Sequence, residues 1–376
     1  MLTLTDDQRM LHDTVRPFMA DAGAIKSQLR HWRDIGCKDG FGHGLWKQFA
    51  ELGLTGILIP EAQGGAGLGQ VEVGLVLEEI GRNLTPSPFL TTAVAVVRAI
   101  EGSPHAERWF PGIAAGETVA ALAIDEGKRH DPAQVALKAT RSGNGFSLSG
   151  AKQFVVQGAS ADLILVAART SGSAGETQGI TLFAVDRDAK GLEVDNVALA
   201  DSSKAARLTL TNVEVDADAV VGDVDGGWLP LSRALNAGRA GAAAELVGVA
   251  SGAFDMTLDY LKQRKQFGRL IGEYQALQHR AAHLFGEIEI ARAAALKAAQ
   301  LLDAGDERAE LMVSVAKAKA AKSAALAVQE GVQMHGGIGM TDEHDIGLYM
   351  KREAVLSELF GSPRHHAARV AELSGY

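Results

Sequence analysis

Apolar residues recur at helical spacing through roughly the first third of the chain, alternate at strand spacing in the middle, and return to helical spacing from Trp228 onward. Thr5-Asp6-Asp7-Gln8 reads as a capped helix start, followed by Leu11, Val15 and Phe18 on one face. Trp46, Phe49, Ala50 and Leu52-Gly53 form a second amphipathic run that stops at its glycine, and Val71 to Gly81 resumes the period. In the middle, Ala136 to Thr140 and Phe146 to Leu148 flank Arg141-Ser-Gly-Asn144-Gly145, where Asn-Gly predicts a hairpin turn. Leu163 to Val166, Ile180 to Val185, Leu192 to Val194 and Leu208 to Thr211 are further strands, and Thr170 to Gln178 is expected to be a mobile loop. Short strands at this spacing predict a compact β-barrel or sandwich. The last block is alanine-rich, with one apolar stripe at Leu277, Ala281, Leu284, Phe285 and Ile288 and another at Leu311, Val315 and Ala318. It reads as a long up-and-down bundle.

The order helix, strand, helix predicts an α+β fold: an N-terminal helical domain over 1–115, a middle β-domain over 116–222 and a C-terminal four-helix-bundle-like domain over 223–376. At 376 residues the chain is long enough for several domains with large cores. No stretch is long and apolar enough for a membrane span, and the start lacks a basic region followed by an apolar one, so neither a span nor a secretory signal is expected. Cys37 is the only cysteine, which excludes internal disulfides and multi-cysteine metal sites and fits a cytoplasmic location. A net charge of −9 without a Lys/Arg block argues against nucleic acid as a partner.

Two short segments carry the strongest chemical signal. The first is Tyr260-Leu-Lys-Gln-Arg264-Lys-Gln-Phe267-Gly268, opening into a long helical run that contains Gln275. The second is Gln333-Met-His335-Gly336-Gly337-Ile338-Gly339-Met340. Arginine and phenylalanine at a helix end can hold a pyrophosphate and cover an adenine, and a Gly-Gly-x-Gly turn lets backbone approach a phosphate or ring. Taken alone, Arg264 and Gly268 read as an ordinary helix C-terminus, with a cation favouring the dipole and a glycine cap. A third segment, Leu52-Gly-Leu-Thr-Gly-Ile-Leu-Ile-Pro60-Glu-Ala-Gln-Gly64-Gly65-Ala-Gly67, combines a Leu-Gly helix end, a Pro-Glu and a Gly-Gly loop.

In this order and spacing, and over almost the whole length, the chain resembles the acyl-CoA dehydrogenase family. The resemblance implies FAD, an acyl-CoA substrate and an electron-transfer flavoprotein as acceptor. It places Arg264, Phe267, Gln275, Gln333, Gly336 and Gly337 on the cofactor, gripped across a subunit interface. It also lays Leu122, Ile124 and Asp125 along the pyrimidine edge of the flavin through their backbone, and Phe154 and Val156 behind the ring. Asp125 stands where the family has threonine, and a carboxylate there disfavours reduction, so Asp125 is expected to point away or the ring to be absent. Phe154 replaces a tryptophan, whereas Val156 lacks the threonine hydroxyl that bonds flavin N5.

The reaction implied removes the α-proton of the thioester with a glutamate while the β-hydrogen leaves as hydride. At one family position for that base the chain reads Arg352-Glu353-Ala354 … Glu358-Leu-Phe360-Gly361-Ser362, so Gly361 holds the glutamate's place. At the other, Gly238 precedes Arg239, the residue implied to bind substrate. Glu358 and Glu245 are the acids that could substitute, and each reads equally as a solvated or paired side chain. His335 is expected at a helix end on the adenine side. His365 and His366 follow Pro363-Arg364, and no metal site is read from them. Three readings stay open: the small partner subunit of a heteromeric bacterial enzyme for bulky or dicarboxylic acyl-CoAs, including steroid side chains; a self-sufficient homotetramer with a displaced base; and a non-catalytic scaffold. A dimer of dimers, homomeric or mixed, is expected, with the alanine- and glycine-rich stretch from Asn236 to Gly252 allowing close helix–helix approach.

Overall fold

The computed structural model of the protein describes residues 3–376. The helices are α1 (Asp6–Asp21), α2 (His31–Asp34), α3 (His43–Glu51), α4 (Gln70–Arg82), α5 (Val97–Ile100) and α6 (Pro104–Ala114), followed by strands β1 to β8. After the strands come α7 (Trp228–Gln263), the small strands β9 (Lys265–Gln266) and β10 (Arg269–Leu270), then α8 (Gln275–Asp303), α9 (Ala309–His335), α10 (Ile346–Glu358) and α11 (Pro363–Leu373). The expected α+β architecture of helical, β-sheet and helical blocks is what the chain adopts. Among the described residues no helix is long and apolar enough to cross a membrane.

Two compact units form from non-contiguous segments. One takes the chain up to His31 with Gln70–Pro86 and Arg239–Tyr376; the other takes Trp32–Gly69 and Ser87–Gly238. The second unit holds one eight-stranded sheet: β1 (Ala120–Ala123), β2 (Lys138–Ser142), β3 (Gly145–Val156), β4 (Leu163–Arg169), β5 (Ile180–Asp186), β6 (Leu192–Ala198), β7 (Lys204–Val215) and β8 (Val220–Val221). Its order is β6-β7-β3-β2-β4-β5-β8, with β1 parallel to β4 off this path. The hairpin turn between β2 and β3 falls one residue earlier than Asn-Gly suggests. Ser142 pairs with Gly145, so the central residues are Gly143 and Asn144, and Gly143 (φ +54°) supplies the positive φ at the first position. The segment Thr170 to Gln178, expected to be mobile, is tied at its base. The buried Arg169 guanidinium donates to the carbonyls of Ala133, Val135, Glu176 and Gln178 at 2.7–3.2 Å.

In the first unit, α1 starts at the expected capping box: Thr5 Oγ1 accepts from Gln8 N at 3.2 Å and Gln8 Oε1 accepts from Thr5 N at 3.0 Å. The N-terminus of α4 is capped by the Asp303 carboxylate, which accepts from the backbone of Gln70 and Val71. On α8 the expected stripe is buried only at Leu284 and Ile288, while Phe285 is exposed. On α9 the buried face is rotated from Leu311/Val315/Ala318 to Val313, Ala316, Lys317, Ala320 and Ala324. Alanine neighbours on both faces hide that rotation from a pattern of apolar spacing.

The glycines of the Asn236-to-Gly252 stretch have a use inside the chain. A Cβ on Gly248 would lie 1.9 Å from the Glu78 carbonyl oxygen, and one on Gly252 would lie 2.5 Å from that of Arg82. Reciprocally, a Cβ on Gly81 would lie 2.1 Å from the Glu245 carbonyl oxygen. Helices α4 and α7 therefore touch backbone to backbone, which is the close approach expected from the composition, here made within one protomer. Gly248→Ala must push these helices apart. We expect it to cost about 3 kcal/mol or more of unfolding free energy in chemical denaturation, whereas Gly286→Ala, at an open position of α8, should change stability by less than about 1 kcal/mol.

Candidate functional site

The two signal segments meet in the first unit. Helix α7 ends at Gln263, and Arg264 closes the last turn by donating to Tyr260 O at 2.9 Å. Beyond it the chain forms a tight hairpin and not a glycine-capped helix end: Gln266 pairs with Arg269, Lys265 pairs with Leu270, and Phe267 (φ +51°) and Gly268 (φ +83°) form the turn. Two consecutive left-handed residues make a type I′ turn, in which Phe267 is a strained occupant. Its ring stands at the tip, 91% exposed. The Arg269 guanidinium lies 3.9 Å over the Tyr274 ring, and the exposed Gln275 opens α8.

Beneath the hairpin, Leu261, Ile271 and Met334 form a small core with Tyr260, Tyr274 and Leu277 packed against it. This core joins the hairpin to the end of α9. The Tyr260 and His335 rings stack at 4.4 Å, and His344 lies 4.4 Å beyond His335. Burial holds His335 below the usual histidine pKa, so it is a neutral stacking ring whose Nδ1 pairs with the Gly331 carbonyl at 2.7 Å. Gly336 (φ +65°) then turns the chain away, its N–H donating to Gln333 O. Gln333, Gly336 and Gly337 are exposed, and a Cβ on either glycine would meet nothing within 4 Å. An exposed guanidinium, an exposed ring and a bare backbone turn on one shared core suit a nucleotide's pyrophosphate and adenine.

In the second unit, β1 leads into Ile124-Asp125-Glu126 beside β3. Leu122 and Ile124 are buried. The carbonyls of residues 124 to 126 are taken by β3: Ile124 O accepts from Lys152 Nζ at 2.8 Å, Asp125 O from Gln153 N at 2.7 Å and Glu126 O from Gln153 Nε2 at 3.1 Å. The carbonyls expected at a ring edge are thus already bonded within the protein. The Asp125 carboxylate meets His130 Nδ1 at 2.9 Å and accepts from Asp131 N at 3.2 Å. Lys152 is fully buried and paired with Glu126 at 2.7 Å; burial holds its pKa below the usual lysine value against the pull of that carboxylate. Beyond Lys152 the pairing of β3 with β7 slips, and Phe154 (φ +54°) bulges out, 54% exposed, while Val155 is buried and Val156 lies on the outward side.

The place that a side chain at Gly361 would take is bounded by histidine rings. Gly361 has φ +114°, and a Cβ there would lie 2.6 Å from His365 Cδ2 and 2.9 Å from His366 Nε2. The loop is held by cations. Lys317 Nζ donates to the carbonyls of Leu356, Ser357 and Gly361 at 2.9–3.2 Å, and Arg239 Nε donates to Phe360 O at 3.2 Å. Burial pushes the Lys317 pKa down to about 7. His366 Nε2 also bonds Phe360 O, and burial holds this ring neutral. Glu245 is 2% exposed and its carboxylate is taken by Arg352, whose Nε lies 2.9 Å away. Glu358 is exposed to solvent at the end of α10. Glu353 is half-buried, its pKa raised by that burial, and accepts from Ser357 Oγ.

Lys317 and the Asp125–His130 pair were not singled out by the sequence. A lysine within Ala-Lys-Ala-Lys reads as a solvated face, and His130 is five residues from its partner in a stretch without periodicity. Among the described residues no group of three or more His, Cys, Asp or Glu side chains could hold a metal ion.

Comparison with known proteins gives the chain its context. Its residues 5–117, 121–213 and 225–373 match models of the acyl-CoA dehydrogenase N-terminal, middle and C-terminal domains. It is 31% identical over 374 residues to the mitochondrial short/branched chain specific acyl-CoA dehydrogenase of Bos taurus, covering 95% of this chain and 83% of that one. It is 30% identical over 371 residues to cyclohex-1-ene-1-carbonyl-CoA dehydrogenase of Geobacter metallireducens, covering 96% and 95%. A solved structure of a Tcur3481-Tcur3483 steroid ACAD variant superposes with TM-score 0.89 at 31% identity, over 99% of this chain and 98% of that one. All three domains of one family, in order and along nearly the whole length, identify this chain as a member of the acyl-CoA dehydrogenase family.

Proposed function

We propose that this chain is an FAD-dependent acyl-CoA dehydrogenase subunit that contributes the cofactor grip, while a homologous chain in a mixed dimer of dimers supplies the catalytic carboxylate. The observation that carries this reading is the Gly361 loop. It has no side chain at the base position, its backbone is left-handed, and its neighbours are Arg239, Lys317, His365 and His366. A base displaced to Glu245 is opposed by its pairing with Arg352, and one at Glu358 by its exposure. The two-chain name of the steroid ACAD supports a paired assembly and a bulky acyl-CoA such as a steroid side chain. Electrons would pass to an electron-transfer flavoprotein, and the single Cys37 fits the cytoplasm.

FAD, when bound, supplies the acceptor for the hydride that leaves the β-carbon as the α-proton is removed. Arg264 would hold its pyrophosphate and Phe267 cover its adenine, with Gln275 at the mouth of α8 and Gln333, Gly336 and Gly337 on the same cofactor, all of them reaching it across a subunit interface. Phe154 would stand as an apolar wall. Val156 offers no hydrogen bond there, and the Asp125 carboxylate is engaged by His130 Nδ1 and Asp131 N. Arg239 acts on the substrate site through the loop it holds, by way of Phe360 O.

Arg264→Ala should release flavin, because each charge-assisted bond to a pyrophosphate contributes about 1.5–3 kcal/mol. Flavin absorbance per protomer and the assembly mass by light scattering check this; full occupancy with unchanged assembly refutes the grip. The purified chain alone should reduce a dye with acyl-CoA about 10²–10⁴-fold more slowly than the chain co-expressed with a homologous dehydrogenase, and equally brisk turnover by the homomer refutes the partner reading. Gly361→Glu should not restore activity. The substitution meets both a left-handed backbone and two histidine rings, and should lower stability by about 1–3 kcal/mol.

A further inference from the structure

Apart from the Gly361 loop and the hairpin, the first unit has a partly open cavity of about 230 Å³ among α4, α7 and α8. It exists because the facing residues are small. Gly74 of α4 stands opposite Ala244 of α7, with an added Cβ still 3.7 Å from the alanine methyl, and Ala295 of α8 lies on the third side. Leu4, ahead of α1, and Leu296 complete an apolar wall. At roughly 30 Å³ per water-sized group, the space takes about seven or eight heavy atoms.

One polar side chain in the wall lacks a partner. Gln70 is 3% exposed, and while its backbone N–H is taken by Asp303, its side-chain Oε1 and Nε2 are both buried without a hydrogen bond. Buried amides are ordinarily paired, so this one marks a place for a group that can both donate and accept. The charges at the cavity answer each other: Arg292 Nε donates to Glu78 Oε1 at 3.0 Å, and its Nη2 donates to Ser251 Oγ at 2.9 Å. No net charge is left over to recruit an ion.

We infer that this cavity is a second ligand site, for a small uncharged amphiphile: a short saturated chain whose end bears a hydroxyl or primary amide that pairs with the Gln70 carboxamide. A saturated chain matches the alanine and leucine walls, and a single terminal donor–acceptor matches the single unpaired amide. Water could pair with Gln70 but would leave most of the wall unmatched.

The test uses the assembled, flavin-loaded protein with 1-hexanol and cyclohexane as probes, read by titration calorimetry and thermal shift. Hexanol should bind saturably, raise the melting temperature and bind at least tenfold more tightly than cyclohexane. Gln70→Leu should erase that preference while keeping binding, and Ala295→Leu should fill the cavity and abolish both. Should Ala295→Leu fail to fold, Gly74→Ala, which adds a methyl at an ordinary contact distance, should weaken hexanol binding severalfold. Absence of any saturable response would mean that the cavity holds water alone and overturns the proposal. Hexanol binding that survives both cavity-filling substitutions places the probe elsewhere and overturns it as well.

Discussion

The α4–α7 crossing is the constraint on which the first unit depends. Where Gly81, Gly248 and Gly252 let two backbones meet, no side chain remains to cushion a shift, so the axial register of α7 is fixed to within a fraction of a residue. That register determines where Arg239 and Glu245 fall, and so which carbonyl the arginine reaches and which carboxylate Arg352 claims. Charges gather around the crossing: Glu78, Glu79, Arg82, Asp255 and Arg292 pair across α4, α7 and α8. Glu79 is almost completely buried and its pKa is raised by that burial. Such a network is weak evidence for stability, because each partly buried charge carries a desolvation cost.

Lysine performs two similar structural tasks in the two units. Lys152 and Lys317 are both fully buried, and each directs its ammonium to backbone carbonyls: Lys152 to Ile124 ahead of a loop, Lys317 to the last turn of α10 and to Gly361. An ammonium with three donors can gather carbonyls from a helix end and a loop that have no partners of their own. Of the two, Lys152 has a carboxylate within bonding distance. Lys317 is held by carbonyl dipoles, and burial lowers its pKa.

Much of this was legible in the chain. The capping box at Thr5, the switch of period near residue 116 and the order of the glycine-rich motifs all rest on local rules, and local rules survive folding. The errors have a common cause. Gly268 looked like a helix cap because a type I′ hairpin turn carries the same glycine, and Asn144-Gly145 looked like a turn centre because the true centre, Gly143-Asn144, overlaps it. The α9 stripe was misplaced because alanine fits either face. Lys317 could not be found at all, since nothing local separates a buried lysine from Lys319 or Lys322 beside it. At the proposed site, residue types could be matched to positions, but the pairing of Asp125 with His130 and the rings beside Gly361 are long-range or loop facts.

The backbone at Gly361 also bears on how this chain can change. Two of the four glycine codons, GGA and GGG, lie one base from a glutamate codon, so from either of these the missing acid is genetically a single step away. The conformation at φ +114° and the rings of His365 and His366 make that step structurally closed, because the loop, its lysine clamp and two neighbouring side chains would have to move together. For a chain folded around a glycine here, placing an acid at this position takes several coordinated changes and not one.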